Sequence, residues 1–369
     1  MSKSFRAFTA LAIMIAIVGL FAGWSTRGTG FNREVLAIGE GSLFQVDYPV
    51  VGGRFTDAGG QSAKRLAYWD GVDEQWKEFG GGTNGAVRAM TTFNGDLIIG
   101  GDFTRAGNVV VNGVARWDGT RWRPLGDGVN GQVHALVVHG SSLYVGGDFT
   151  QAGAVNARNV ARWTGSSWKS MGPGFNRAVK ALESYAGHVY AGGDFTRSGN
   201  RRVNGIARWA AGSWRFLRDS PGSPKGVNAS VYALTVWEDM LIVGGDFTEA
   251  GGMSAGRIAA WDGDVWSAFG TGLNGAVFAF NEAQATGYLL VAGEFTRAGG
   301  ETAKRFATWH DVSGWGGDAD WGPGMNGPVY AIGDANPLFG APLGVLVVGD
   351  FTVAGSSSAR RFAVHDSLW

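Results

Sequence analysis

The chain has 369 residues, 45% of them apolar, with 63 Gly, nine Pro and no Cys. That is enough apolar matter for a large folded domain, and the lack of Cys excludes disulfides, thiolate metal sites and Cys nucleophiles. Lys plus Arg equals Asp plus Glu at 31 each, so the chain carries no basic field of the kind that binds phosphate backbones, and nucleic acid is not an expected partner.

In chain order the first feature is apolar. Lys3 and Arg6 precede an uncharged, mostly apolar stretch over residues 7–23, the pattern of an export signal. Leu20 and Ala22 offer the −3 and −1 positions of a cleavage site, while the same stretch is long enough to cross a thin bilayer as an uncleaved anchor. Residues 1–23 are therefore expected to be a signal peptide or membrane anchor. Residues 24–369 are expected to be exported: secreted, periplasmic or at the cell surface, touching membrane only through an uncleaved N-terminal segment.

A repeat organises the rest. Variants of Gly-Gly-Asp-Phe-Thr place a Phe at Phe55, Phe103, Phe149, Phe195, Phe247, Phe295 and Phe351, at gaps of 48, 46, 46, 52, 48 and 56 residues. An Asn stands two residues after a Gly at Asn32, Asn84, Asn130, Asn176, Asn228, Asn274 and Asn326, alternating strictly with the Phe series. A Trp lies 14 residues after each of the first six Phe, at Trp69, Trp117, Trp163, Trp209, Trp261 and Trp309, and His365 holds the seventh such place. An outer Trp completes each unit: Trp24, Trp76, Trp122, Trp168, Trp214, Trp266 and Trp315.

The unit over residues 84–130 shows what one copy builds. Alternating or wholly apolar runs at residues 86–90, 97–101, 113–117 and 121–125 read as four short strands. Asn94-Gly95-Asp96 and Asp118-Gly119 read as tight turns, and Pro124 demands an edge strand. Four antiparallel strands in under 50 residues describe one propeller blade, so seven copies predict an all-β, seven-bladed β-propeller of four-stranded antiparallel blades. The chain ends after the third strand of its seventh unit, and residues 24–38 track residues 122–136. The N-terminal strand is thus expected to complete the last blade, closing the ring and removing an open sheet edge.

The order of signals is a strand ending in Gly-Gly, an aromatic, Ala-Arg-Trp, a turn and a Trp. It is illustrated by residues 143–150 (LYVGGDFT), residues 160–163 (VARW) and Trp168. It resembles a kelch-type β-propeller repeat, and more closely the repeats of fungal cortical marker proteins for cell polarity and similar bacterial secreted repeat proteins. The resemblance covers nearly all of residues 24–369. It implies a surface or interaction module and little chemistry. The Cys-linked Tyr of kelch-type copper oxidases cannot be built by a chain without Cys.

The residue before each Phe is Arg54, Asp102, Asp148, Asp194, Asp246, Glu294 or Asp350. One equivalent place per blade puts six carboxylates in a ring on one side of the disc, near the channel, where Ca²⁺ or a cationic ligand would be the guest. The competing expectation, favoured by the regularity, is structural: each Asp bonds the backbone of its own turn. The Asn series likewise reads as turn-forming, by tolerating left-handed backbone before Gly. No His pair has metal-ligand spacing, and no hydrolase or phosphate-loop motif occurs.

Departures from the repeat are the better place to seek binding. Residues 219–226 (DSPGSPKG), 312–321 (VSGWGGDADW) and 336–344 (NPLFGAPLG) lengthen turns. Trp315, Asp318, Asp320 and Trp321 would suit a sugar ring, with an aromatic to stack on it and carboxylates to bond its hydroxyls. The expected function is a non-catalytic protein- or glycan-binding scaffold at the cell surface or envelope, needing no cofactor. The rival is a polysaccharide-active hydrolase or lyase with a carboxylate site at the propeller face.

Overall fold

A computed structural model describes residues 23–39, 49–217, 226–283, 287–335 and 344–365. The signal or anchor segment therefore lies outside the described residues, as do almost all of the 219–226 and 336–344 insertions. The described chain forms seven four-stranded antiparallel sheets, each a blade. In the unit read above the strands are Val87–Phe93, Asp96–Gly101, Val114–Trp117 and Trp122–Pro124, with Pro124 in the outermost strand. The loop between the second and third strands is not structureless. In every blade it holds a two-residue hairpin, here Arg105–Ala106 against Val109–Val110. The Asp118-Gly119 connection is longer than two residues, because Trp117 pairs with Trp122 and the Asp118 carboxylate accepts from the amides of Thr120 and Arg121.

The innermost strands stand side by side around one axis, and the first, Val35–Gly39, packs against the last, Val329–Ala335. The closure takes the expected route. Trp24–Ser25 pairs antiparallel with Phe362–His365 as the outermost strand of the seventh blade. Trp24 meets the His365 ring edge-on at 4.8 Å, and His365 is itself buried against Trp321 at 5.2 Å. The imidazole thus fills, as packing, the place a Trp fills elsewhere.

There is no single core. Seven apolar clusters are formed, one in each wedge between neighbouring blades, and each contains one Phe of the repeated segment. Outer Trp rings stitch the wedges. The indole N–H groups of Trp76, Trp122, Trp168, Trp214 and Trp315 donate to carbonyls of Arg27, Gly80, Leu125, Met171 and Phe269 at 2.8–3.3 Å.

The Asn series holds each blade in a way the sequence reading missed. None of the seven has positive φ. Each bridges from the start of the innermost strand to the Thr after the Phe. Asn130 Oδ1 accepts from the amides of Thr150 and Gln151, both at 2.9 Å, and its Nδ2 donates to Thr150 Oγ1 at 2.9 Å. The other six make the same three bonds. Asn130→Ala should cost about 1–3 kcal/mol, since two amides lose their acceptor. Urea unfolding should show a lower midpoint with unchanged slope; an unshifted midpoint would deny the clamp any role.

Candidate functional site

Each innermost strand breaks register once against its neighbour. The breaks fall between Val35 and Ala37, Val87 and Ala89, Val133 and Ala135, Val179 and Ala181, Val231 and Ala233, Val277 and Ala279, and Val329 and Ala331. Each is a β-bulge, which leaves one residue out of the ladder and re-aims its side chain. The glycines of the repeat make room for it. Opposite Val133 stands Gly147, and a Cβ there would collide with the Gln132 carbonyl. The equivalent Gly in each other blade meets the equivalent carbonyl.

The seven extra residues are Leu36, Arg88, His134, Lys180, Tyr232, Phe278 and Tyr330. All seven line one cavity of about 350 Å³, together with Glu34 and Arg54. One residue from every innermost strand places this cavity at the mouth of the central channel. Two larger depressions, of about 440 and 710 Å³, lie between blades, but repeated Asn and Gly positions supply much of their walls. The mouth is where the seven copies disagree.

The disagreement is ordered. Blades two to four contribute Arg88, His134 and Lys180; blades five to seven contribute Tyr232, Phe278 and Tyr330. The Arg88 guanidinium pairs with Asp102 at 3.2 Å, and Lys180 stands 3.7 Å from Asp194. Burial, with Lys180 and Arg88 nearby, lowers the His134 pKa to about 4, so its ring is neutral at pH 7. On the other side the ring centroids of Tyr232 and Phe278 are 5.5 Å apart at 58°, and those of Phe278 and Tyr330 are 5.7 Å apart at 45°. Burial raises the pKa of both tyrosines, and so do nearby carboxylates: Asp246, Asp194 and Glu294 for Tyr232; Asp350, Glu34 and Glu294 for Tyr330. Two polar atoms at the mouth, Glu34 Oε2 and Arg88 Nε, have no hydrogen-bond partner among the described residues.

Asp102, Asp194, Asp246, Glu294 and Asp350 of the acidic series stand near the mouth residues. Asp102 and Asp194 face the basic ring residues, and Asp350 accepts from Arg361 Nε at 3.0 Å. The Asn clamp already satisfies the turn amides, which leaves the carboxylates free for the mouth. Asp148, Asp246 and Glu294 have no ion-pair partner among the described residues. Among those residues no group of three or more His, Asp or Glu side chains stands ready to share a metal.

The 312–321 insertion is arranged differently. Trp315 belongs to the outermost strand Gly314–Gly316 of the sixth blade and donates to Phe269 O. The Asp318 and Asp320 carboxylates each accept a backbone amide, from Lys304 at 2.9 Å and Gly317 at 3.0 Å. Trp321 is buried against Phe306, with its N–H on Thr308 Oγ1. The four residues are neighbours, but they do not combine an open ring face with free carboxylates.

The mouth residues carried a signal that the sequence reading passed over. The frame Val-Xaa-Ala is identical in all seven copies, and Xaa is the bulge residue. A variable position inside an invariant frame marks the difference between blades.

No family model matches the chain, and no curated protein matches it. Solved structures do. The chain is similar to the extracellular domain of BT4673 from B. thetaiotaomicron, solved in two structures: 11% identity in both, with TM-scores of 0.61 and 0.60. The match covers 94% of this chain but only 40% of that one, so this chain spans well under half of that domain. It is also similar to the WD40 β-propeller domain of Doa1, with 12% identity, a TM-score of 0.55 and coverage of 93% of this chain and 96% of that one. At such identities the likeness concerns the fold. The protein is a seven-bladed β-propeller.

Proposed function

We propose that the protein is an exported, non-catalytic binding propeller of the cell surface or envelope, and that its ligand seats at the channel mouth without a cofactor. The observation that carries this reading is the asymmetric ring of bulge residues. A frame repeated seven times presents seven side chains to one cavity, and those side chains differ in chemical kind. A scaffold with no ligand there has no reason to sort bases to one side and aromatics to the other. The unpartnered Arg88 Nε supports it, because a buried polar atom left unpaired costs stability unless a ligand or water completes it. The kelch-like order of the repeat supports a protein or glycan partner. One of the similar structures is an extracellular domain, which agrees with the export pattern of residues 1–23.

The test compares the wild-type chain with a variant carrying Arg88→Ala, Lys180→Ala, Tyr232→Ala and Tyr330→Ala. Both are offered a panel of envelope proteins and glycans by biolayer interferometry. Partners held by wild type should be lost by the variant while its circular dichroism and melting stay those of a folded propeller. Partners held equally by both would reject the mouth, and cleavage of a panel glycan would reject the non-catalytic reading in favour of a polysaccharide-active enzyme.

A further inference from the structure

The two halves of the mouth differ in what they leave unsatisfied. On the basic side the charges are largely spent internally: Arg88 on Asp102, Lys180 on Asp194, while His134 is uncharged. On the aromatic side Asp246 and Glu294 have no cation paired to them among the described residues. Glu294 stands near both Tyr232 and Tyr330, and Asp246 stands near Tyr232. Negative charge therefore stands near Tyr232, and Glu294, Glu34 and Asp350 stand near Tyr330 together with the Arg54 guanidinium, which also lines the cavity.

The ring geometry narrows the guest further. Interplanar angles of 58° and 45° between successive rings make a cupped wall, not the flat platform on which a sugar face stacks. A cup of tilted π-faces suits a small cation, whose charge each ring quadrupole attracts. Resting on the reading of the mouth as the binding site, we propose that its aromatic half, Tyr232, Phe278 and Tyr330 backed by Asp246 and Glu294, receives an alkylammonium group. Two sources offer that group, a lysine side chain of a protein partner and a quaternary ammonium compound.

The full chain is titrated by calorimetry with choline, with a lysine blocked at its amino and carboxyl ends, and with 3,3-dimethylbutanol, the uncharged isostere of choline. At least one ammonium probe should bind about tenfold or more tightly than the alcohol, since several rings and two carboxylates act on the charge. Phe278→Leu keeps the bulk and removes the π-face; it should weaken that probe about fivefold. Glu294→Gln should weaken it too, and Arg88→Gln should not. Stronger binding of the blocked lysine assigns the group to a protein side chain; stronger binding of choline assigns it to a quaternary ammonium compound. Equal binding of the alcohol, no saturation by either cation, or a Phe278→Leu variant that binds as wild type overturns the proposal. If envelope partners still depend on the mouth in that case, only the ammonium assignment falls; if none does, the binding reading falls with it.

Discussion

Phe31→Ala should remove about 3–5 kcal/mol of stability, the range for emptying a buried aromatic site. The ring is 1% exposed. It touches Phe55 at 4.7 Å and Trp76 at 4.8 Å in the first blade and reaches Phe362 of the seventh at 6.2 Å. Its backbone is held from the seventh blade as well: Phe31 N–H donates to Arg360 O at 3.0 Å, and Arg361 Nη1 donates to Phe31 O at 3.1 Å. The closing strand Trp24–Ser25 pairs through only two residues. The closing wedge is therefore held by side chains as well, Phe31 among them and Trp76, whose ring lies 5.0 Å from Phe362. Phe175, one position before Asn176 as Phe31 is before Asn32, is the control. It is equally buried and lies on Phe195 at 3.9 Å, within a wedge whose two blades are joined by continuous chain. Phe175→Ala should cost a similar amount in chemical denaturation. Only Phe31→Ala should also speed hydrogen exchange in Phe362–His365, because it loosens the strap that covers that strand. A Phe31→Ala protein with wild-type midpoint and exchange would refute a role for Phe31 in the closure.

Glu183→Gln should make the protein more stable above pH 7, by about 3 kcal/mol, and leave it nearly unchanged below pH 4.5. Burial is the main cause that raises the Glu183 pKa from 4.5 to about 7, against a smaller opposing effect of the Ser184 amide, which donates to its Oε1 at 2.7 Å. A carboxyl whose folded pKa exceeds its unfolded value holds its proton more tightly when folded. Its contribution is complete below about pH 4.5 and is lost as pH climbs through 7, at about 1.4 kcal/mol per pH unit. Gln keeps the acceptor oxygen and cannot ionise, so the difference between the two proteins isolates this group. His134 acts with the opposite sense, losing stability as pH falls from 6.5 toward 4, and is common to both proteins. Parallel stability curves for wild type and Glu183→Gln between pH 4.5 and 8 would show that the carboxyl is not buried as described.

Seven units, their four strands and the borrowed closing strand were legible because fixed spacings repeat them. Phe, Asn and Trp recur at constant offsets, and a truncated seventh unit beside an orphan fourth strand admits few arrangements. The mouth was hidden by the same regularity. Strict alternation assigns every second residue to a sheet face, and a single extra residue per strand breaks that count without changing composition. Leu36, Arg88 and Tyr232 therefore looked like ordinary strand positions. The Asn clamp was hidden for another reason: Asn84 and Thr104 are 20 residues apart, and a local rule for Asn before Gly cannot see the partner. For the acidic series the sequence left two tasks open, a ring at the channel and bonds to its own turns; the bonds to the turn amides after each Phe are made by the Asn.

The bulge residues belong neither to the hydrogen-bonded ladders nor, for the most part, to the seven wedges. Folding and the proposed recognition therefore draw on separate alphabets within the same strand. Such a chassis can be re-addressed one letter at a time: a duplicated blade arrives with its framework intact and one blank to fill, and a new specificity is spelled without renegotiating the architecture that displays it.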